Sequence, residues 1–350
     1  MKKIYIIAII MILIAIVTFL PKKNTGEIKI GALYALSGPV SIYGEVSIQG
    51  VRDAVKYFEE NSDLNFSLVE EDTVGDAKKG VVGAQRLFSV DGVRYAVVGL
   101  SAVSAAVAPV TDDYDVVTIT DATVMGMTKD HDNLFQNFVP AFKKSASYLK
   151  NVGVKKLAIV YTNDEFGGKW NTEVTNSVKD SIEVNSFAVA RDATDFATEA
   201  SKIKQFNPDR IFVIAFGPSL KQIYRDMENI GISQEKYITY LSCSFPGVLA
   251  DNSLEGALSY EFPPVGNKKL KLWMENNNGN KSTFYTSAFE NTLSLLTAIE
   301  KVGNNPEKVR EYLKTASMDG VYGTVEFGDD RTVDRDLTLT KIEDNKCVAL

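Results

Sequence analysis

From residue 27 onward, short runs rich in β-branched and aromatic residues alternate with longer stretches whose apolar positions recur every three or four residues. Runs of the first kind suit strands buried in a sheet. Stretches of the second kind suit helices lying on one, and the alternation predicts βα units and parallel sheets. Strands are expected at 28–33, 66–69, 95–98 and 116–119, with helices at 46–58, 77–87 and 103–111 between them. In the first helix Ile48, Val51, Val55 and Phe58 share a face, while Gln49, Arg52 and Lys56 fall elsewhere. One lobe is complete by about residue 140, and the pattern then restarts. It gives strands at 156–161, 182–189, 210–216 and 237–241, and helices at 169–179, 196–206 and 220–230. Phe262-Pro263-Pro264 breaks the regular structure; helices at 270–275, 289–302 and 306–314 and a final section of turns and strands from 323 follow it.

The N-terminus has a different pattern. Met1-Lys2-Lys3 precedes an almost wholly apolar, uncharged run from Ile4 to Leu20, and Pro21-Lys22-Lys23 closes it. A bilayer core of ~30 Å takes about 20 helical residues, so the run is just long enough to span one. A positive start followed by an apolar run is equally the pattern of an export signal. No small-x-small cleavage site precedes Pro21, and no cysteine stands nearby to carry a lipid. The expectation is an uncleaved transmembrane anchor over 1–23 rather than a removed signal, with the rest of the chain outside the cytoplasm in either case.

Composition narrows the function. With 45% hydrophobic and 24% charged residues in 350, the chain is ordinary globular material, long enough for two cores. A formal net charge of -7 argues against nucleic acid as a partner, because phosphate backbones are held by clustered Lys and Arg. Catalytic motifs are missing. There is no Gly-x-Gly-x-x-Gly after a strand and no Walker loop, and Gly99-Leu100-Ser101-Ala102-Val103 lacks the closing glycine of a nucleophile elbow. The single histidine, His131, sits in the polar run Lys129-Asp130-His131-Asp132-Asn133, which suits a solvated turn better than a triad. Cys243 and Cys347 match no zinc or redox spacing and form one bridge at most; free thiols are the expectation. No enzyme, cofactor or metal site is expected.

Open α/β sheets bind ligands beyond the carboxyl ends of their strands, where helix N-termini offer free N–H groups. The loops at 35–44, 99–104, 120–125, 162–167, 217–219 and 242–247 are therefore the ones to compare. They resemble those of the type I periplasmic solute-binding proteins, especially the branched-chain amino acid receptors of ABC transporters. The resemblance rests on Ile28-Lys29-Ile30-Gly31 with Leu36-Ser37-Gly38-Pro39 and Tyr43-Gly44, then Glu71-Asp72-Thr73 and Val98-Gly99-Leu100-Ser101. Thr118-Ile119-Thr120 with Ala122-Thr123, Asn163-Asp164-Glu165-Phe166-Gly167 and Gly320-Val321-Tyr322-Gly323 continue it in order along the chain.

The resemblance implies two lobes joined by a multi-strand hinge, with 27–142 and 264–324 in the first lobe and 143–263 and 325–350 in the second. It implies a small-molecule ligand held by Tyr43, Ser101 or Ser104, Ala102, Ala122 and Thr123 from the first lobe, and by Phe166, Phe216 and Ser242 from the second. For the serines, helix capping is the competing structural role. It also implies permease and ATPase subunits as partners and a position on the outer face of the membrane. In one place the chain departs from the family. Where amino-acid binders carry an acidic residue for the ligand amine, this chain has Leu241-Ser242-Cys243-Ser244, and Asp121 is the available substitute. The ligand class stays open between an amino acid, an amide and a short carboxylate. A ligand-sensing receptor module with a separate signalling partner is the alternative.

Overall fold

The computed structural model describes residues 27–140, 142–215, 219–245, 248–249, 253–263, 265–277 and 282–350. The expected anchor at 1–23 lies outside the described residues; among those described, no helix is long and apolar enough to cross a membrane.

The first lobe opens with β1 (Ile28–Tyr34), α1 (Ser41–Glu59), β2 (Phe66–Asp72), α2 (Ala77–Ser89), β3 (Tyr95–Val98), α3 (Ser101–Asp113), β4 (Val117–Thr120) and β5 (Leu134–Pro140). These strands pair in parallel in the order β2-β1-β3-β4-β5. Strands β3 and β4 are buried along their whole length, as expected of a parallel sheet covered on both faces. Then come α4 (Phe142–Asn151), β6 (Lys156–Thr162), α5 (Glu165–Val178), β7 (Glu183–Val189), α6 (Ala197–Phe206), β8 (Arg210–Ile214), α7 (Ser219–Asn229), β9 (Tyr237–Tyr240) and β10 (Leu258–Glu261). Their strands form a second sheet in the order β10-β9-β8-β6-β7.

After β10 the chain returns to the first lobe for α8 (Lys268–Asn276), α9 (Thr283–Val302), α10 (Pro306–Thr315) and the small pair β11 (Met318–Asp319) and β12 (Thr324–Val325). Helix α9 lies against α1 at Gly50, where a Cβ would come within 2.3 Å of the Tyr285 carbonyl oxygen, so only glycine lets the two backbones meet. Asp53 accepts a hydrogen bond from the Tyr285 hydroxyl at 2.8 Å at the same contact.

The last section corrects the expected lobe boundary. Strand β13 (Thr332–Arg335) pairs in parallel with β5, so the chain stays in the first sheet through Arg335 instead of leaving it at 325. Val325, Phe327 and Val333 are buried in the first lobe's core, whereas Leu337 and Ile342 are buried in the second's. The chain thus crosses a third time just before β14 (Thr338–Glu343), which runs antiparallel to β10, and β15 (Lys346–Ala349) pairs antiparallel with β14.

Two strands escape the periodicity for a visible reason. In β5 the buried Gln136 and Asn137 interrupt the apolar run; Gln136 donates to the Ala122 and Val124 carbonyls, and Asn137 donates to Glu290. In β10 all four positions are buried, and two of them are the polar Ser259 and Glu261. Their polarity hides a strand that is nonetheless buried.

The free-thiol expectation is also corrected: Cys243 and Cys347 form a disulfide, with Cα atoms 6.1 Å apart and a sequence separation of 104. Folding β15 back along β14 brings position 347 beside the loop that follows β9. That proximity is a product of tertiary pairing and leaves no spacing signal. Replacing both cysteines with serine removes a long-loop constraint from the unfolded chain. It is expected to cost about 2–4 kcal/mol in urea-melt stability, and a change below roughly 0.5 kcal/mol would contradict this.

Candidate functional site

The carboxyl ends of both sheets face each other across a cleft of about 910 Å³, open solvent at its mouth included. Its first-lobe wall begins at the ends of β1, β3 and β4. Tyr34 closes β1; Gly99 follows β3, and a Cβ there would lie 2.5 Å from the Tyr34 ring. Leu100 then takes φ 66 and starts α3 with no side-chain cap. The first helical bond runs from Ser104 N–H to the Leu100 carbonyl, so the first-turn N–H groups of Ser101 and Ala102 lack an intrahelical partner at the cleft. Such an end carries a partial positive charge and suits an anion.

After β4, Asp121, Ala122 and Thr123 line the same wall. Asp121 is partly exposed to the cavity but lies deep beneath the protein surface. Burial pushes its carboxyl up to about 7, against hydrogen bonds from its own N–H and that of Leu100. The Tyr34 hydroxyl beside it is buried with no hydrogen-bond partner among the described residues. Burial first, and the charge of Asp121 second, drive its pKa upward.

From the second lobe come Asp164, Phe166, Arg191 and Tyr240. Asp164 caps α5 by accepting from the Gly167 N–H at 2.9 Å, and its other oxygen takes Arg191 Nη2 at 2.6 Å. The buried Tyr240 hydroxyl reaches toward Thr123 across the cleft without a hydrogen bond of standard geometry.

Aromatic rings supply most of the remaining surface. Tyr43 stacks on Phe284 with ring centroids 5.0 Å apart, and Phe245 of the second lobe lies 5.5 Å from Phe284 and 5.6 Å from Tyr43. Phe138 and Phe262, on the first two crossings between lobes, meet edge to face at 5.2 Å at the base.

The structure thus brings together six residues expected from the sequence: Tyr43, Ser101, Ala102, Ala122, Thr123 and Phe166. Ser101 is the first residue of α3 and not its cap. Ser104, a turn further along, faces β4 instead and shares a hydrogen bond with the Thr120 hydroxyl at 2.7 Å, fully buried. Ser242 is likewise buried off the cleft, its N–H donating to Ser259; its neighbours Leu241 and Phe245 take the lining positions. Phe216 lies outside the described residues. The residues the sequence did not single out are Tyr34, Phe138, Arg191, Tyr240, Phe245, Phe262 and the start of α9 at Thr283 and Phe284. Tyr34 and Tyr240 close parallel strands, which is a signal that the sequence does carry. Nothing local marks Arg191 or Phe284.

Below the second-lobe wall, Glu261 holds the disulfide loop. It accepts from the Cys243 N–H at 3.0 Å and from the hydroxyls of Ser259 and Ser244 at 2.6 and 3.2 Å. Burial pushes its carboxyl up to about 7 against these bonds. The Ser244 hydroxyl also meets that of Thr283 at 2.6 Å, which ties the second lobe to the start of α9 in the first.

Residues 27–346 match the sequence profile of a family described as periplasmic binding protein. A Leu/Ile/Val-binding protein of Citrobacter freundii is 23% identical over 324 residues, covering 86% of each chain. A crystal structure of a leucine binding protein from Thermotoga maritima superposes with a TM-score of 0.84 at 19% identity, over 92% of this chain and 97% of that one. A solute binding protein of an ABC transporter from R. palustris, in complex with 4-hydroxybenzoate, gives 0.82 at 20% identity over 93% and 96%. At these identities the structural likeness establishes the fold.

Asp121 and Glu261 keep their protons to about 7 in the folded chain, whereas unfolded carboxyls titrate near pH ~4. The folded state therefore binds more protons in between, so the stability linked to each group is complete below about pH 4 and is lost as pH rises through their folded values. Glu261→Gln is expected to flatten this decline in chemical-denaturation stability between about pH 4.5 and 7. An unchanged slope would contradict the assignment.

Proposed function

Because the chain belongs to the periplasmic binding protein family, we propose that it is the extracytoplasmic substrate-binding component of an ABC transporter, capturing a small solute with a carboxylate and an apolar body. The observation that carries this reading is the pairing of an uncapped α3 N-terminus, flanked by Ser101 and Thr123, with aromatic surface from both lobes in one cleft. A bound carboxylate receives N–H and hydroxyl donors at the positive end of α3, each charged hydrogen bond contributing on the order of 1.5–3 kcal/mol. Tyr43, Phe245 and Phe166 cover the apolar part. Micromolar capture corresponds to about -8 kcal/mol, which two or three such bonds and a buried hydrocarbon supply.

Leucine and 4-hydroxybenzoate, the ligands named for the relatives, both combine a carboxylate with an apolar body. Lobe closure about the three crossings brings the two half-sites onto the solute, and the bound form is the one favoured by contacts from both sides. The apolar run at 4–20 holds the protein at the outer face of the membrane, beside the permease and ATPase it serves.

Branched-chain and aromatic amino acids, their amides, and aryl and alkyl carboxylates make a sufficient panel. At least one carboxylate is expected to raise the melting temperature of the purified full chain in proportion to the logarithm of its concentration. Thr123→Ala or Ser101→Ala should weaken its binding about tenfold, near 1.4 kcal/mol, while leaving the unliganded melting temperature within a few degrees. A panel in which no solute shifts the melting temperature would overturn the proposal.

A further inference from the structure

Among the described residues the cleft walls hold three formally charged side chains, Asp121, Asp164 and Arg191, and they are not equivalent. Asp164 and Arg191 pair with each other on the second lobe. Asp121, on the opposite wall, is in no ion pair among the described residues. Its neighbours are the Tyr34 ring, the backbone of Gly99 and the N–H of Leu100. Gly99 makes room for the Tyr34 ring, which a Cβ there would meet at 2.5 Å, and Asp121 Oδ1 lies just beyond, 3.5 Å from the same point. A carboxyl is thus built into the wall, beside the helix end that would receive the ligand's carboxylate.

Two anionic groups in one buried corner repel each other unless a cation or a proton lies between them. An ammonium group on the carbon next to the ligand's carboxylate supplies that cation. It reaches Asp121 while the carboxylate stays on the Ser101 and Ala102 amides. A solute without the ammonium binds only with Asp121 protonated. We propose that Asp121 is the specificity-determining residue of this cleft: it takes the ligand's cationic nitrogen from the first lobe, where the second lobe's loop after β9 offers Ser242 and no carboxylate and its Asp164 is already paired with Arg191. The inference rests on the solute-binding reading above and names the charge that the site selects.

The other titratable groups around the cavity are Tyr34 on β1, Tyr43 on α1, Tyr240 at the end of β9, and Asp164 with Arg191 across the gap. Burial drives the Tyr34 and Tyr240 hydroxyls upward, away from neutrality, and a guanidinium stays charged. The carboxyl of Asp121, pushed up to about 7, is the group that changes charge in the neutral range on the first-lobe wall. The sign follows from which form each ligand needs. An ammonium-bearing solute needs ionised Asp121, so its affinity is full above about pH 7 and falls toward tenfold per unit below it; a solute lacking the ammonium shows the reverse.

The probes are pairs that differ only in the amine: L-leucine with 4-methylpentanoate, and L-phenylalanine with 3-phenylpropanoate. Titration calorimetry of the full chain from pH 5.5 to 8.5 is expected to show an amino acid binding at least tenfold tighter than its deaminated twin at pH 8, and losing that advantage as pH falls. Asp121→Asn keeps an acceptor for the Leu100 N–H but loses the charge, and should bring the two members of a pair within threefold of each other at every pH. Asp121→Ser checks the same point if the amide variant folds poorly, and the pH profile of the unaltered protein needs no variant. Tighter binding of the deaminated twin at pH 8, or an undiminished preference for the amine in Asp121→Asn, would overturn the inference while leaving solute binding intact. If no member of either pair binds, while another solute does, Asp121 does not select an ammonium and the inference falls alone; if nothing binds, both readings fall.

Discussion

The cleft depends on the parallel register of β1, β3 and β4. Pairing Leu33 with Val98 and Val98 with Thr120 ends three strands at one level, so that Tyr34, Gly99 and Asp121 emerge side by side. A parallel sheet has to send each strand into a crossover helix, and the helix that follows β3 starts at this edge. The donors of α3 and the carboxyl of Asp121 are thereby placed at the ends of paired strands, the Asp121 N–H itself donating to the Val98 carbonyl, and Thr123 follows in the short loop after β4. A one-residue slip of β4 would swap its side chains between the two covered faces of the sheet and move Asp121 out of level with Tyr34.

A second constraint acts where the chain passes between lobes. Arg335 at the end of β13 pairs with Glu290 of α9, fully buried, while Asn137 on β5 donates to the same carboxylate and Tyr322 N–H to its other oxygen. The guanidinium also lies 5.4 Å above the Phe138 ring, and Phe138 takes φ 73, a backbone state that bulky residues rarely adopt. A buried ion pair of this kind is weak evidence for net stability but costs several kcal/mol to break on one side, typically about 3–5. It fixes where the crossings sit, and the rings of Phe138 and Phe262 carry that geometry to the base of the cleft.

Much of this is legible in the sequence because parallel strands are continuous apolar runs and their helices are amphipathic. Strands β3, β6 and β9 fall within a residue of where periodicity puts them. Helix α4 is not expected from the sequence either, but the two strands that escape the periodicity, β5 and β10, do so because they bury Gln136, Asn137, Ser259 and Glu261, and burying polar groups against specific partners is a tertiary fact. The same holds for the site. Residues that directly follow strands, such as Ser101, Ala122 and Thr123, could be found from strand ends alone. Ser104 and Ser242 carry the right chemistry one step off the cleft: the Ser104 hydroxyl bonds Thr120 on the next strand and the Ser242 N–H bonds Ser259 on the strand after its own, pairings that no pattern of apolar positions reveals. Arg191 and Phe284 enter the cleft from a turn after an edge strand and from the start of a helix, where no pattern of apolar positions points to function. The disulfide was invisible for a related reason: its two halves meet only once β14 and β15 have folded back.

In the proposed function one solute is gripped by both lobes at the strand ends. The most direct measurement is a crystal structure of the protein with the solute that stabilises it. The ligand's carboxylate is expected on the Ser101 and Ala102 amides, and its body against Phe166, Tyr240 or Phe245 from the other side. A solute held by one lobe alone, or seated away from the end of β4, would contradict it.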